Sequence, residues 1–246
     1  QTAHELIRSL LLNEEVDAIS GLAYLHNGKL IQTAPRIKLK EMGDLPLPAR
    51  DAIPLEKYLN VWKKHHGKST ANISTQRGCP YTCKWCSTAV YGQSYRRRPA
   101  ALVVEEIQLL QSNYGVEAMW FVVDVFTISH KWLSSLHSEM IQKNVKIDFE
   151  IITRAERLNE GILKMLKEMG GFRIWIGAES GSQRIIDAMD RRVSVEDVRE
   201  KIKLTQQYGI EAGTFIMIGY PGETQDDIFE TVNHLKLAPP DQFTIT

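Results

Sequence analysis

The sequence predicts an α/β protein built on a parallel sheet. From residue 70 onward, six strand-like apolar runs alternate with stretches of helical periodicity. Glycines stand where those helices should stop, and capping residues stand where two of them should start. The strand-like runs are 71–75, 118–123, 146–152, 172–176, 212–218 and 242–246. Between them Val103, Ile107 and Leu110 recur at helical spacing, as do Leu133, Leu136 and Met140, and then Leu158, Ile162, Leu166 and Met169. Ser194 and Thr224 each precede an acid three positions on, Asp197 and Asp227, which places negative charge at a positive helix end. Gly115, Gly170 and Gly209 mark helix ends. Right-handed crossovers make such strands parallel. An open doubly wound sheet and a partial barrel both satisfy the pattern.

The first 70 residues read differently. Leu6 and Leu10 predict a short helix, and the runs 19–25 and 29–33 flank His26-Asn27-Gly28, a hairpin turn because Asn-Gly accepts positive φ. Pro46, Pro48 and Pro54 block helix and central strand, so 45–54 reads as a linker with a boundary near residues 45–66. The expected organisation is a small α/β hairpin-containing segment over 1–50, a connector over 51–70 and a core over 71–246. The chain begins without Met and stops inside a strand-like run, so a piece of a longer protein is expected, with a sixth strand whose open edge favours association.

Composition narrows the function classes. Thirty basic and 30 acidic residues leave no net charge, hence no electrostatic footprint for nucleic acid or an anionic membrane. No apolar run approaches the roughly 20 residues that span a bilayer, and the N-terminus lacks the pattern of a secretory signal. All three cysteines fall in Cys79-Pro-Tyr-Thr-Cys83-Lys-Trp-Cys86. Thiols without a pairing partner elsewhere point to a reducing, cytoplasmic setting.

The cysteine run follows the first predicted strand of the core, and parallel α/β folds place ligands at the C-terminal ends of strands. Thiolates select zinc, copper(I) or iron–sulfur clusters. A structural zinc site wants four ligands, so a zinc-stabilised binding domain would need His65 or His66 as the fourth. Three inert thiols, or a centre with one coordination position left open, are the other readings.

The run Cys79-x-x-x-Cys83-x-Trp85-Cys86, with an aromatic before the last cysteine, resembles the motif of radical S-adenosylmethionine enzymes. The resemblance implies a four-iron, four-sulfur cluster on Cys79, Cys83 and Cys86, with the fourth iron left for S-adenosylmethionine. It implies reductive cleavage of that cosubstrate to a 5′-deoxyadenosyl radical, chemistry that the cofactors carry while the protein positions them. It also implies roles for residues at the following strand ends. Trp85 falls among the cofactor contacts, and Asp124 ends the second strand where the family places an acid for the substrate's ammonium. Arg154, after the third, is a partner for the methionyl carboxylate. Glu179 and Ser180 resemble the ribose- or ammonium-contacting motif, and Phe215 and Met217 lie in a fifth-strand motif, running to Gly219-Tyr-Pro-Gly222, that packs on adenine. Each has an ordinary structural counterpart: a helix cap for Asp124, an ion pair with Glu150 or Glu156 for Arg154, a turn for Glu179, core packing for Phe215 and Met217. The resemblance covers 71–246 and favours a partial (β/α)6 TIM-like barrel.

The segment Ile19-Ser-Gly-Leu-Ala-Tyr24, with Asn27-Gly-Lys29 and Leu45-Pro-Leu-Pro-Ala-Arg50, resembles the piece that joins a cobalamin-binding domain to the radical barrel. That subclass includes methyltransferases acting on unactivated carbon or phosphorus and the anaerobic magnesium-protoporphyrin ester cyclase. Nothing here resembles the Asp-x-His-x-x-Gly corrinoid motif, so cobalamin is implied for the full-length parent and not for this fragment. Residues 1–78 hold no cysteine, which disfavours the methylthiotransferases. The resemblance further implies a small-molecule or natural-product substrate and an electron donor such as flavodoxin or ferredoxin. It assigns no residue to the substrate's own chemistry. Of Arg96, Arg97 and Arg98, two read as a solvated turn before a helix-starting Pro99 and one as facing the barrel mouth. Tyr91, Tyr95 and Trp120 read as core, with the mouth as their alternative.

Overall fold

A computed structural model of the chain describes residues 1–86 and 93–246; Tyr91 lies outside the described residues. The chain forms two compact units, Gln1–Lys40 and Glu41–Thr246. In the first, helix α1 (Thr2–Leu12) precedes strands β1 (Ala23–His26) and β2 (Lys29–Gln32). The strands pair antiparallel with His26 opposite Lys29, and Asn27 (φ +48°) and Gly28 (φ +75°) supply the two left-handed residues of the turn. Arg36 joins this unit together by bonding Glu5 at 3.1 Å and the Ser20 carbonyl at 3.2 Å.

The second unit opens with α2 (Leu55–His66), ended by left-handed Gly67, and enters strand β3 (Thr70–Ile73). The chain then leaves the sheet earlier than its apolar run predicts. Gln76–Arg77 (β4) pairs antiparallel with Arg96–Arg97 (β5), a ribbon that brackets the cysteine run. Beyond it come α3 (Ala100–Tyr114), β6 (Ala118–Phe121), α4 (His130–Gln142), β7 (Asp148–Thr153) and α5 (Glu160–Met169). The rest is β8 (Gly171–Glu179), α6 (Gln183–Ala188), α7 (Val195–Gln207), β9 (Glu211–Ile216), α8 (Gln225–Leu237) and β10 (Gln242–Ile245). The expected caps form: Ser194 accepts from the Asp197 amide at 2.9 Å, and the Thr224 amide donates to Asp227 at 2.8 Å.

Sheet order decides between the two architectures. The six strands run β10-β9-β8-β7-β6-β3, all parallel, each beside its predecessor in the chain. A doubly wound sheet needs a reversal of strand order, and there is none. With every crossover of one hand, the helices fall on one face. The sheet is therefore the wall of a partial barrel, left open between β3 and β10. Alternation divides each strand: Ile73, Phe121, Phe149, Ile151, Ile174 and Ile176 are buried in the core, whereas Trp120, Glu150, Trp175 and Phe215 of the opposite face are only half-buried. Trp120 lines a cavity on that face with Asn72, Glu150 and Trp175.

Two of the clustered arginines belong to the interior, not to a solvated turn. Arg97 stacks on Trp132 (3.6 Å from guanidinium carbon to ring centroid) and donates to the Phe126 carbonyl at 2.7 Å and the Tyr95 hydroxyl at 3.3 Å. Arg98 pairs with Glu106, which also receives Arg50 at 2.7 Å. Glu106 is 1% exposed, so both cations face a charge with no access to water. Removing the acid leaves two guanidinium groups uncompensated, and Glu106→Ala should lower the unfolding free energy by about 3–5 kcal/mol. Urea denaturation checks this, and a loss below about 1 kcal/mol would mean that water replaces the carboxylate.

Candidate functional site

The C-terminal ends of β3, β6, β7, β8 and β9 present one segment each to a common region, because parallel strands all finish at the same end of the sheet. The first segment is the cysteine run. It is half-buried at Cys79 and Cys83 and exposed at Cys86, and all three thiols are free. Burial pushes the Cys79 thiol up, with the charges of Asp124 and Cys83 adding to it. Burial also pushes Cys86 up, followed by Cys79, Cys83, Asp124 and Glu179. Arg191, 3.7 Å from Glu179 and 3.9 Å from the Cys83 sulfur, links the acid at the end of β8 to the cysteine run.

Segments after β7 and after α6 hold the run in place. After β7, Arg154 lies over the ring of Tyr81 at 4.0 Å, while Arg157 donates to the Tyr81 hydroxyl at 2.5 Å. After α6, the Met189 carbonyl accepts from the Lys84 amide at 3.0 Å, and Asp190 accepts from the Thr82 hydroxyl at 2.9 Å. Arg154 itself is buried and fully engaged. It bonds Glu156, the Arg191 carbonyl and, at 3.2 Å, the sulfur of Cys83. Of the two carboxylates weighed as its ion partner, Glu156 is the one it takes; Glu150 pairs with Arg173 at 2.9 Å.

β8 ends under strain. Glu179 is a buried, non-glycine residue at φ +64°, beside an irregular register between Gly177 and Glu179. A Cβ at Gly177 would sit 2.6 Å from the Glu179 carboxylate and 2.9 Å from the Arg191 guanidinium, so any larger residue would displace one of them. Arg191 lies 3.7 Å from Glu179 and donates to the Gly177 carbonyl. Its neighbours Asp190 and Arg192 both have φ of +54°, so this turn is bent around it.

The remaining expected residues divide. Ser180 is buried, and its hydroxyl serves Thr231 at 3.2 Å and the Ser182 amide at 3.1 Å, so it anchors its loop on α8. The Met217 amide donates to the Glu179 carbonyl at 2.7 Å, which joins the β8 and β9 ends. Phe215 stacks on Trp175 with centroids 5.0 Å apart. Trp85 is 37% exposed, on the turn that the Cys86 amide closes to the Cys83 carbonyl at 3.2 Å. Asp124 is exposed on the loop after β6. Arg191, Tyr81 and Arg157 were not legible: a double arginine between two helices reads as solvated, and nothing local marks it as buried.

The donor set fits an iron–sulfur cluster better than one zinc ion. Among the described residues no three His, Cys, Asp or Glu side chains converge on a single ion. A cluster asks something different, since each thiolate takes its own iron. The histidines that zinc would need lie at the wrong end of β3. His66 closes α2 before the strand begins and stacks on Trp62 at 4.1 Å, while the cysteines follow the strand's end. The four-residue strand alone separates them by about 13 Å at ~3.3 Å rise per residue.

Comparison with known proteins agrees with this geometry. Residues 73–235 match the model of the Radical SAM superfamily. The chain is 31% identical, over 99% of its length and 53% of the relative's, to an uncharacterized methyltransferase of Pyrococcus horikoshii. It is 25% identical to the anaerobic magnesium-protoporphyrin IX monomethyl ester cyclase of Rubrivivax gelatinosus, covering 92% of this chain and 40% of that one. Its fold matches the radical S-adenosylmethionine methyltransferase TsrM of Kitasatospora setae, solved with cobalamin and a [4Fe-4S] cluster in one structure and an S-adenosylmethionine analogue in another. The latter match has a TM-score of 0.82 at 17% identity, over 100% of this chain and 49% of that one. The cobalamin-dependent enzyme OxsB, solved with aqua-cobalamin and S-adenosylmethionine, matches at a TM-score of 0.78 and 18% identity, over 95% and 34%. The chain spans about half the length of these proteins or less. No helix among the described residues is long and apolar enough to cross a membrane.

Burial gives the site a pH signature. The Glu179 carboxyl is pushed up to about 7, chiefly by desolvation, against the pull of Arg191 and Arg154. Its folded value lies above the ordinary 4.5, so the native protein holds this proton more tightly than the unfolded chain does. The stability it contributes is complete below pH 4.5 and is lost as pH rises through about 7. Urea unfolding of the metal-free protein should weaken across that window, and Glu179→Gln should flatten the slope. An equal slope in both proteins would mean that the carboxyl titrates as if solvated.

Proposed function

This chain belongs to the radical SAM superfamily, and we propose that Cys79, Cys83 and Cys86 hold a four-iron, four-sulfur cluster whose uncommitted iron receives S-adenosylmethionine. The observation that carries the proposal is a run of three free thiols after β3, without a fourth in the chain, tied through Arg154 and Arg191 to the ends of β7 and β8. When bound, such a cluster supplies the electron that cleaves the sulfonium to methionine and a 5′-deoxyadenosyl radical.

The chain's own residues bind and orient. Asp124 and Glu179, from the ends of β6 and β8, are suited to the cosubstrate's ammonium and ribose hydroxyls. The β9 end, with Phe215, Met217 and the turn after them, offers backbone and apolar surface for adenine, and its tie to the Glu179 carbonyl keeps the two contacts in register. Ser180 supports that register from behind by fixing its loop to α8. Trp85, 37% exposed between Cys83 and Cys86, is in this reading a cofactor contact. The full-length protein is, in this reading, a cobalamin-dependent methyltransferase or cyclase acting on a small molecule, with cobalamin bound outside residues 1–246. The support is the kinship with a methyltransferase-named relative and with the cyclases. Flavodoxin or ferredoxin would supply the electron.

Anaerobic preparation should yield a brown protein that turns S-adenosylmethionine into 5′-deoxyadenosine or methionine under reduction. Cys79→Ala, Cys83→Ala and Cys86→Ala should each lose iron and at least about 100-fold of that cleavage, roughly 2.7 kcal/mol in barrier. Iron analysis and product chromatography check it. A colourless zinc protein indifferent to these substitutions would defeat the proposal.

A further inference from the structure

We propose that Arg154 and Arg191 set the redox level of the cluster through the sulfur of Cys83; the inference rests on the cluster reading given above. Among the described residues, Cys83 is the cysteine that receives guanidinium donors. Arg154 Nη1 lies 3.2 Å and Arg191 Nη1 lies 3.9 Å from its Sγ. Both arginines are buried, at 4% and 3% exposure, so water screens neither charge.

The two forks are aimed and held from behind. Arg154 is fixed by Glu156, by the Arg191 carbonyl and by the Tyr81 ring at 4.0 Å. Because it bonds the backbone of Arg191, the two cations are positioned together. Arg191 is fixed by the Gly177 carbonyl and by Glu179 at 3.7 Å. Neither side chain can swing away from Cys83 without breaking a buried bond. That cost separates them from arginines that merely decorate a thiolate from the surface.

The physical consequence has a sign. A guanidinium N–H pointed at a ligand sulfur draws electron density from it, and its charge favours whichever cluster state is more negative. The reduced state carries one more electron, so both arginines stabilise it over the oxidised state and raise the potential. Arg154 has the shorter contact and should act more strongly.

The test is a redox titration of the anaerobically loaded full-length protein, followed by electron paramagnetic resonance without S-adenosylmethionine. Arg154→Met with full iron content should show a roughly tenfold lower ratio of reduced to oxidised cluster at a fixed poise, about 59 mV for a one-electron couple. Arg191→Gln should move the midpoint in the same direction by less, and Arg154→Lys, which keeps the charge and loses the fork, should fall between Arg154→Met and the parent. Unmoved midpoints in iron-replete variants overturn the assignment. If Arg154→Met does not fold or load, Arg154→Lys and Arg191→Gln decide by the same criterion. A variant of Arg154 that loses affinity for S-adenosylmethionine at an unchanged midpoint also overturns it, and returns that residue to the methionyl carboxylate. Parent protein that takes up no iron overturns the cluster reading itself, whereas loaded variants with the parent's midpoint overturn only this role of the arginines.

Discussion

The bond between Arg154 and the cysteine run is the contact on which the site depends. The run of eight residues that holds the three cysteines forms no helix or strand of its own. Its place is set from outside, by one guanidinium that reaches the ring of Tyr81, the sulfur of Cys83 and the backbone of Arg191 at once. The segments after β3, β7 and α6 are thereby fixed to one another. Burying such a cation is costly, and burial indeed works against its charge; Glu156 and Cys83 more than restore it. The partners of Arg154 are accordingly an acid, a carbonyl, a sulfur and an aromatic face, each of which accepts from or lies against the guanidinium.

Much of the frame was legible because it follows from periodicity. Strands and helices of the second unit came from apolar spacing, and their ends from Gly115, Gly170 and two acid-backed caps. The hairpin at Asn27-Gly28 came from conformational demand alone. What periodicity leaves open is handedness of winding, since helices on one face or on both give the same alternation. Family resemblance favoured the barrel, and strand order then showed it. Strand lengths were less legible. β3 stops at Ile73 although the apolar and β-branched run continues to Thr75, because the chain is diverted into the ribbon that frames the cysteines.

The site was legible where chemistry is written in residue type and opaque where it depends on burial. Cysteines announce themselves; so does an acid at a strand end. Arg191 does not. It looks like Arg192, its neighbour, yet one is 3% exposed and the other lies in solvent paired with Asp190. The same holds for Arg97 and Arg98, whose clustering suggests a basic turn but whose partners are Trp132 and Glu106. Ser180 is a different case: adjacency to Glu179 puts it in the motif, and its hydroxyl reaches Thr231 of α8. A strand end turns sharply there, so consecutive side chains leave in different directions.

Glu179 shows how strain and electrostatics support each other. Its left-handed backbone would be unfavourable for a free residue, and its carboxyl is too deeply buried to ionise easily. Neither condition would persist alone. Arg191 holds the carboxyl from one side, and a bare Gly177 leaves the space both groups need. The Met217 amide holds the carbonyl of the same residue from the next strand. Arg191, 3.7 Å from this carboxyl and 3.9 Å from the Cys83 sulfur, links it to the cysteine run. The backbone distortion is therefore part of what brings an acid from β8 to the cysteine run of β3, across a sheet in which two strands, β6 and β7, stand between them.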